Sequence, residues 1–305
     1  MSVEINENNI ESLGEGIQDL SRPLKQRYRD LFTLKNIGGK IAIDSIVACI
    51  TTDPSALFKH ECAYVLGQMQ NSYALPALIK TLSDPNQDVI VRHEAGEAIG
   101  AIGEQTPEVI AALTEHLKSE HVEISETCQI ALDLLEWKNK DPSKQENLTG
   151  SADYKSVDPA PPSVENDINK LREILLDEKL SLFERYRAMF ALRNIGSSDA
   201  VLALADGLKC SSALYRHEIA YILGQMQHEA ASKQLAANLM DLSEHAMVRH
   251  ECAEALGAIA TEDCMNVLKK YATDKEQMVK ESCEVALDMG EYHSSDQFQY
   301  ADGLS

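Results

Sequence analysis

Apolar and polar residues recur along most of the chain with a helical period. At about 100° per residue, Val91, Ala95, Ala98, Ile99 and Ile102 fall on one face about 100° wide. Before them, "YALPALIKTLSD" predicts one helix and "PNQD" a turn in which Asp88 stands ready to cap. "VIVRHEAGEAIGAIG" then predicts a second helix that stops at glycine. The same stripe occurs 33 residues earlier as Phe58, Cys62, Val65, Leu66 and Met69. It occurs 157 residues later as Val248, Cys252, Ala255, Leu256 and Ile259.

The pattern repeats on two scales. "RYRDLFTLKNIGG" at 27–39 is matched by "RYRAMFALRNIGS" at 185–197, and "ETCQIALD" at 126 by "ESCEVALD" at 281. A step of 157 carries His60 to His217 and His93 to His250, and within each half 33 residues separate the two histidines. A helix pair of this kind cannot bury its apolar stripe alone and must stack on its neighbours. The predicted fold is all-α, a helical-repeat solenoid in two pseudo-symmetric halves. The expected divisions are an N-terminal tail over 1–20, an N-terminal array over 21–137, a flexible acidic linker over 138–168, a C-terminal array over 169–290 and a C-terminal tail over 291–305. Residues 138–167 are rich in Pro, Ser, Asp, Asn and Lys and lack an apolar period, which is why a linker is expected there.

Composition agrees with helices: 44% of the residues are hydrophobic, enough for a core, and only 5% are aromatic. The N-terminus has neither the basic region nor the apolar run of a signal peptide, and no stretch reaches the roughly 20 apolar residues of a membrane span. Seven cysteines form no CxxC and fall mostly at apolar helix positions, so a reduced, cytoplasmic protein is expected, and a monomer. A formal charge of −21 disfavours nucleic acid and anionic membranes and suits a cationic partner. An acidic surface kept for solubility fits the charge equally well.

The candidate chemistry lies in four His-Glu pairs at one point of the repeat: "KHECAYVLGQMQ" at 59, "RHEAGEAIGAIG" at 92, "RHEIAYILGQMQ" at 216 and "RHECAEALGAIA" at 249. Helix phase puts His93 nearly opposite the apolar stripe, with Glu97 one turn along and Glu94 on the flank. His60, His93, His217 and His250 are therefore expected on one exposed face of successive second helices. Such axes lie about 8–10 Å apart, so imidazoles from neighbouring repeats can converge on one ion. Composition alone yields about one His-Glu pair, and the repeats carrying "RYRDLFTLKNIGG" and "ETCQIALD" have none, so duplication does not account for the retained pairs. Imidazole and carboxylate without thiolate suit iron or manganese and also accommodate zinc, although not the closed Cys/His site of structural zinc. Two half-sites facing each other would make a dinuclear centre. The pattern is not the Glu-x-x-His of ferritin-like bundles.

Four His-Glu pairs, two in each half of a duplicated HEAT-like array, with their "YxLGQMQ" and "RHExxEALGAI" surroundings, resemble the deoxyhypusine hydroxylase family over residues 21–290. The resemblance implies a non-haem di-iron monooxygenase that uses dioxygen and an external reductant. Its substrate would be the deoxyhypusine residue of eukaryotic translation initiation factor 5A, hydroxylated to hypusine. It also implies that His60, His93 and Glu94 hold one Fe2+ ion and that His217, His250 and Glu251 hold the other. Glu61 and Glu218 belong to the same site, either as further metal ligands or as contacts to the substrate amines. Glu97 and Glu254 are candidates for supporting or amine contacts, and Tyr64 and Tyr221 for hydrogen bonds to ligand carboxylates. The rival readings are a helical scaffold that binds a basic segment without chemistry and a di-zinc hydrolase using the same ligands.

Overall fold

The computed structural model describes residues 7–140 and 154–293, and every regular element among them is helical, as expected. The first eight helices are α1 (Glu7–Gln18), α2 (Leu24–Ile37), α3 (Gly39–Thr52), α4 (Ala56–Gln68), α5 (Leu75–Ser83), α6 (Val89–Ile102), α7 (Pro107–His116) and α8 (Val122–Asn139). The next eight are α9 (Ile168–Leu176), α10 (Leu182–Ile195), α11 (Ser198–Asp206), α12 (Ala213–Met226), α13 (Ser232–Met240), α14 (Ala246–Ile259), α15 (Glu262–Tyr271) and α16 (Gln277–His293). Two compact units divide between Leu135 and Glu136, within α8.

In each unit helices alternate between a first and a second member of a repeat. α4 packs on α2 and α6, and α14 on α12 and α16, so the second helices form one continuous layer within each unit. The predicted stripe is their anchor. Phe58, Cys62, Val65 and Leu66 of α4 and Val91, Ala95, Ala98 and Ile99 of α6 are buried, while Met69, Ile102 and Ile259 at the helix ends are half-buried. α6 is capped by Asp88, whose side chain accepts from the Ile90 amide, and stops at Gly103 in the left-handed region (φ 79°), both as the sequence signals.

Neighbouring second helices meet at a glycine against an alanine. A Cβ added at Gly67 of α4 would stand 2.8 Å from the Ala98 Cα of α6, and one at Gly224 of α12 would stand 3.0 Å from the Ala255 Cα of α14. Hydrogen there is what lets the backbones approach.

Four expectations are corrected. The N-terminal tail over 1–20 includes α1, which buries Leu13 and Ile17, one turn apart, against α2 and α3. Gly14 and Gly16 lower its helix propensity and hid it from the sequence. The linker over 138–168 does not behave as one flexible stretch. Residues 138–139 close α8, residues 141–153 lie outside the described residues, and residues 154–163 are docked on α10: Ala160 is buried, and the Ser163 amide donates to the Arg187 carbonyl (2.9 Å). Of the C-terminal tail over 291–305, residues 291–293 finish α16 and the rest lie outside the described residues.

The fourth correction concerns the histidines, which are buried rather than exposed. His60 and Gly67 are seven residues apart, two helical turns, so both face the neighbouring second helix. The polar side of each helix is therefore part of the seam between repeats. No described helix is long and apolar enough to cross a membrane.

Candidate metal centre

Four capped helices present the His-Glu pairs. Ser55 accepts from the Phe58 amide ahead of α4, Asp88 from Ile90 ahead of α6, Ser212 from Tyr215 ahead of α12, and His245 from Met247 ahead of α14. Each cap fixes where its helix begins, and so fixes the direction of the histidine five residues past it.

In the N-terminal unit the donors of two repeats converge. One ligand atom each from His60, His93 and Glu94 lie within 4.8 Å of one another, and all three residues are buried. His60 Nε2 is 3.2 Å from Glu94 Oε2, and the two imidazole rings are 5.5 Å apart at 41°. Two ligands held about 2.1 Å from an ion are about 3 Å apart at right angles and about 4 Å apart across it, so with a small inward shift this trio could hold a single metal ion. Glu61 is buried too but does not join the trio.

The C-terminal unit repeats the arrangement in pairs. His217 Nε2 lies 3.5 Å from Glu251 Oε2, matching His60 and Glu94, and His217 Nδ1 lies 3.5 Å from Glu218 Oε1. The His217 and His250 rings are 5.2 Å apart at 43°. Glu254 approaches His250 Nδ1 at 3.6 Å and accepts a hydrogen bond from the Ser282 hydroxyl (3.1 Å). Tyr221 receives a hydrogen bond from Gln225 (2.9 Å).

The sequence reading missed the residue directly before each pair. Arg92 Nε donates to the Leu82 carbonyl (2.9 Å) and Arg249 Nε to that of Leu239 (3.0 Å), tying each second helix to the end of its first helix. Arg249 also grips Asp274 (2.6 Å), and Arg216 grips Glu244 with both arms of its guanidinium (2.5 and 2.9 Å). Lys59 reaches Gln87 (3.2 Å), which itself donates to the Ile50 carbonyl. A basic residue ahead of all four pairs was the available signal: it pins the backbone one residue from each histidine.

Burial also sets the local charge balance. It holds the Lys35 ammonium below the usual lysine range, with the negative charge of Glu61 acting in opposition. Cys62, next to Glu61, has its thiol pushed up, first by burial and then by its hydrogen bond with Cys49.

The fold and this site define a helical-repeat protein with buried His and Glu groups able to hold metal. A family of HEAT repeats matches residues 43–133 and 203–288, and one of PBS lyase HEAT-like repeats matches residues 184–210. The chain is 54% identical over 300 residues to the deoxyhypusine hydroxylase of Rattus norvegicus, covering 98% of this chain and 97% of that one. It is 53% identical to the enzyme of Homo sapiens with the same coverage. The structure of human deoxyhypusine hydroxylase in complex with glycerol superposes with a TM-score of 0.89 at 53% identity, covering 94% of this chain and 97% of that one. The chain belongs to the deoxyhypusine hydroxylase family and is an oxidoreductase.

Proposed function

We propose that this protein is a di-iron monooxygenase that hydroxylates the deoxyhypusine residue of eukaryotic translation initiation factor 5A in the cytoplasm. The observation that carries this reading is the buried convergence of His60, His93 and Glu94 within 4.8 Å, in a chain so similar to hydroxylases of that name. A donor set of two imidazoles and a carboxylate leaves positions open on iron for dioxygen or substrate. Iron, when bound, supplies the activation of dioxygen.

His60, His93 and Glu94 would hold one ion and His217, His250 and Glu251 the other, while Glu254 orients His250. Glu61 and Glu218 would attract the amines of the substrate, a lysine lengthened by an aminobutyl arm. The charge of −21 favours approach of that cation. One oxygen atom enters a substrate C–H bond and the other leaves as water, which requires two electrons and two protons from outside. A separate reductant supplies the electrons.

The test is mass spectrometry of deoxyhypusine-bearing factor incubated with purified protein, ferrous iron, reductant and air. A gain of one oxygen atom is expected, lost on His60→Ala. Unchanged substrate with fully iron-loaded protein would overturn the reading, and two zinc ions with hydrolytic activity would replace it.

A further inference from the structure

The docked segment 154–163 is joined by a polar relay to Tyr221 of α12, the helix that carries His217 and Glu218. Its anchor is Arg193 of α10, a buried guanidinium with 4% of its side chain exposed. Asp158 receives both arms of it (2.9 and 2.6 Å), Tyr154 stacks on it (4.5 Å to the ring centroid), and Phe190 lies 4.9 Å away. Pro159, Pro161 and Pro162 stiffen the segment, so docking it costs little chain entropy.

From the same nitrogen that binds Asp158, Arg193 donates to Gln225 Oε1 (2.9 Å). That bond fixes which way the Gln225 amide points, and its Nε2 then donates to the Tyr221 hydroxyl (2.9 Å). A phenol that accepts from Gln225 keeps its own hydrogen to donate elsewhere. Tyr221 lies three residues after Glu218 and four after His217 on α12, on the same helix face. The N-terminal unit has Lys35 where the alignment of "RYRDLFTLKNIGG" with "RYRAMFALRNIGS" puts Arg193. A lysine ammonium cannot make the planar fork that serves an aspartate and a glutamine at once.

We propose that Arg193 and Gln225 are positioning residues which, with segment 154–163 docked, orient the Tyr221 hydroxyl for the grip on the substrate amine, one turn along the same helix face from Glu218. This rests on the hydroxylase reading above and assigns the relay to substrate grip in one half only.

Gln225→Glu is the informative variant. It keeps an acceptor for Arg193 but removes the donor to Tyr221, so the phenol turns to donate to the new carboxylate instead. Gln225→Glu, Tyr221→Phe and their double variant are compared in the full-length protein. Two readouts are used: KM and kcat of the iron-loaded enzyme for deoxyhypusine-bearing factor, and Kd of the iron-free protein for the same factor. The expected result is a rise in KM and Kd of about tenfold in either single variant, within the 10–100-fold effect of supporting groups. kcat stays within about twofold, and the double variant is no worse than the singles, as expected of groups acting through one another. Asp158→Asn should produce the same shift and speed hydrogen exchange at the Ser163 amide. Wild-type KM and Kd in Gln225→Glu or Tyr221→Phe, or effects that multiply in the double variant, would overturn the proposal. If the wild type fails to hydroxylate, the hydroxylase reading falls, while the binding arm still decides the relay.

Discussion

Replacing Gly67 with alanine tests whether the seam between α4 and α6 sets the spacing of the donors. The added Cβ would stand 2.8 Å from the Ala98 Cα and 2.9 Å from its Cβ. Carbon atoms prefer about 3.5–4.0 Å, so the two backbones must part by about 1 Å. Overpacking of this kind costs about 1–3 kcal/mol, and alanine returns about 1 kcal/mol of helix propensity, leaving the unit about 0–2 kcal/mol less stable. Displacement matters more than energy here. His60 lies two turns from Gly67 on the same face, and a site tolerates only about 0.5 Å of drift in its ligands. Ferrous ion affinity, measured anaerobically by competition with a chelator, should fall about 10–100-fold while the thermal midpoint moves by only a few degrees. Gly38→Ala is the matched control. Gly38 has φ 73° with ψ −166°, a region nearly reserved for glycine, and no atom within 4 Å of an added Cβ, so the substitution costs about 1–3 kcal/mol in backbone strain without parting α4 from α6. Wild-type iron affinity in Gly67→Ala, or an equal loss in both variants, would refute the argument.

Removing a proposed ligand outright, as in His93→Ala or Glu94→Gln, should weaken iron binding by at least about 100-fold, more than loss of a supporting group; metal analysis after dialysis checks this. Asp274 is held below the usual carboxylate range, chiefly by the hydrogen bond from Arg249, so its contribution is complete above the ordinary aspartate pKa and lost as pH falls through the lowered value. Asp274→Asn should therefore lower the melting temperature at pH 7, with the gap to wild type closing as pH falls below about 4; a constant gap would assign the effect to something other than charge. Burial pushes the Cys128 and Cys283 thiols up to about 12, so both should resist a disulfide reagent at pH 8 until the protein unfolds. Rapid labelling of either in the native state would contradict that.

The repeat architecture is legible in the sequence because the stripe, the caps and the glycine stops agree with one another. Asp88, Val91, Ala95 and Gly103 each signal α6 independently, and each occupies the predicted place. α1 was hidden because Gly14 and Gly16 suppress its helix signal, although both permit close packing in the fold: a Cβ at Gly14 would overlap Ser45 of α3. The depth of the histidines was misjudged for a different reason. Periodicity divides a helix into apolar and polar sides, but a repeat buries two sides, one in the core and one against the next repeat. His93 belongs to the second kind. Segment 154–163 was also out of reach, because its docking rests on contacts such as the Asp158–Arg193 ion pair and the Tyr154 ring on Arg193, between residues with no periodic relation.

The arginine-to-carbonyl bonds have a consequence for how the protein forms. Arg92 reaches Leu82 and Arg249 reaches Leu239, each only ten residues back, and His93 lies only 33 residues from its partner His60. Contacts this local close quickly, because little loop entropy is lost before they form. Each half can therefore complete its donor set once two adjacent repeats dock, so the N-terminal set can assemble on the ribosome while the C-terminal repeats are still being synthesised.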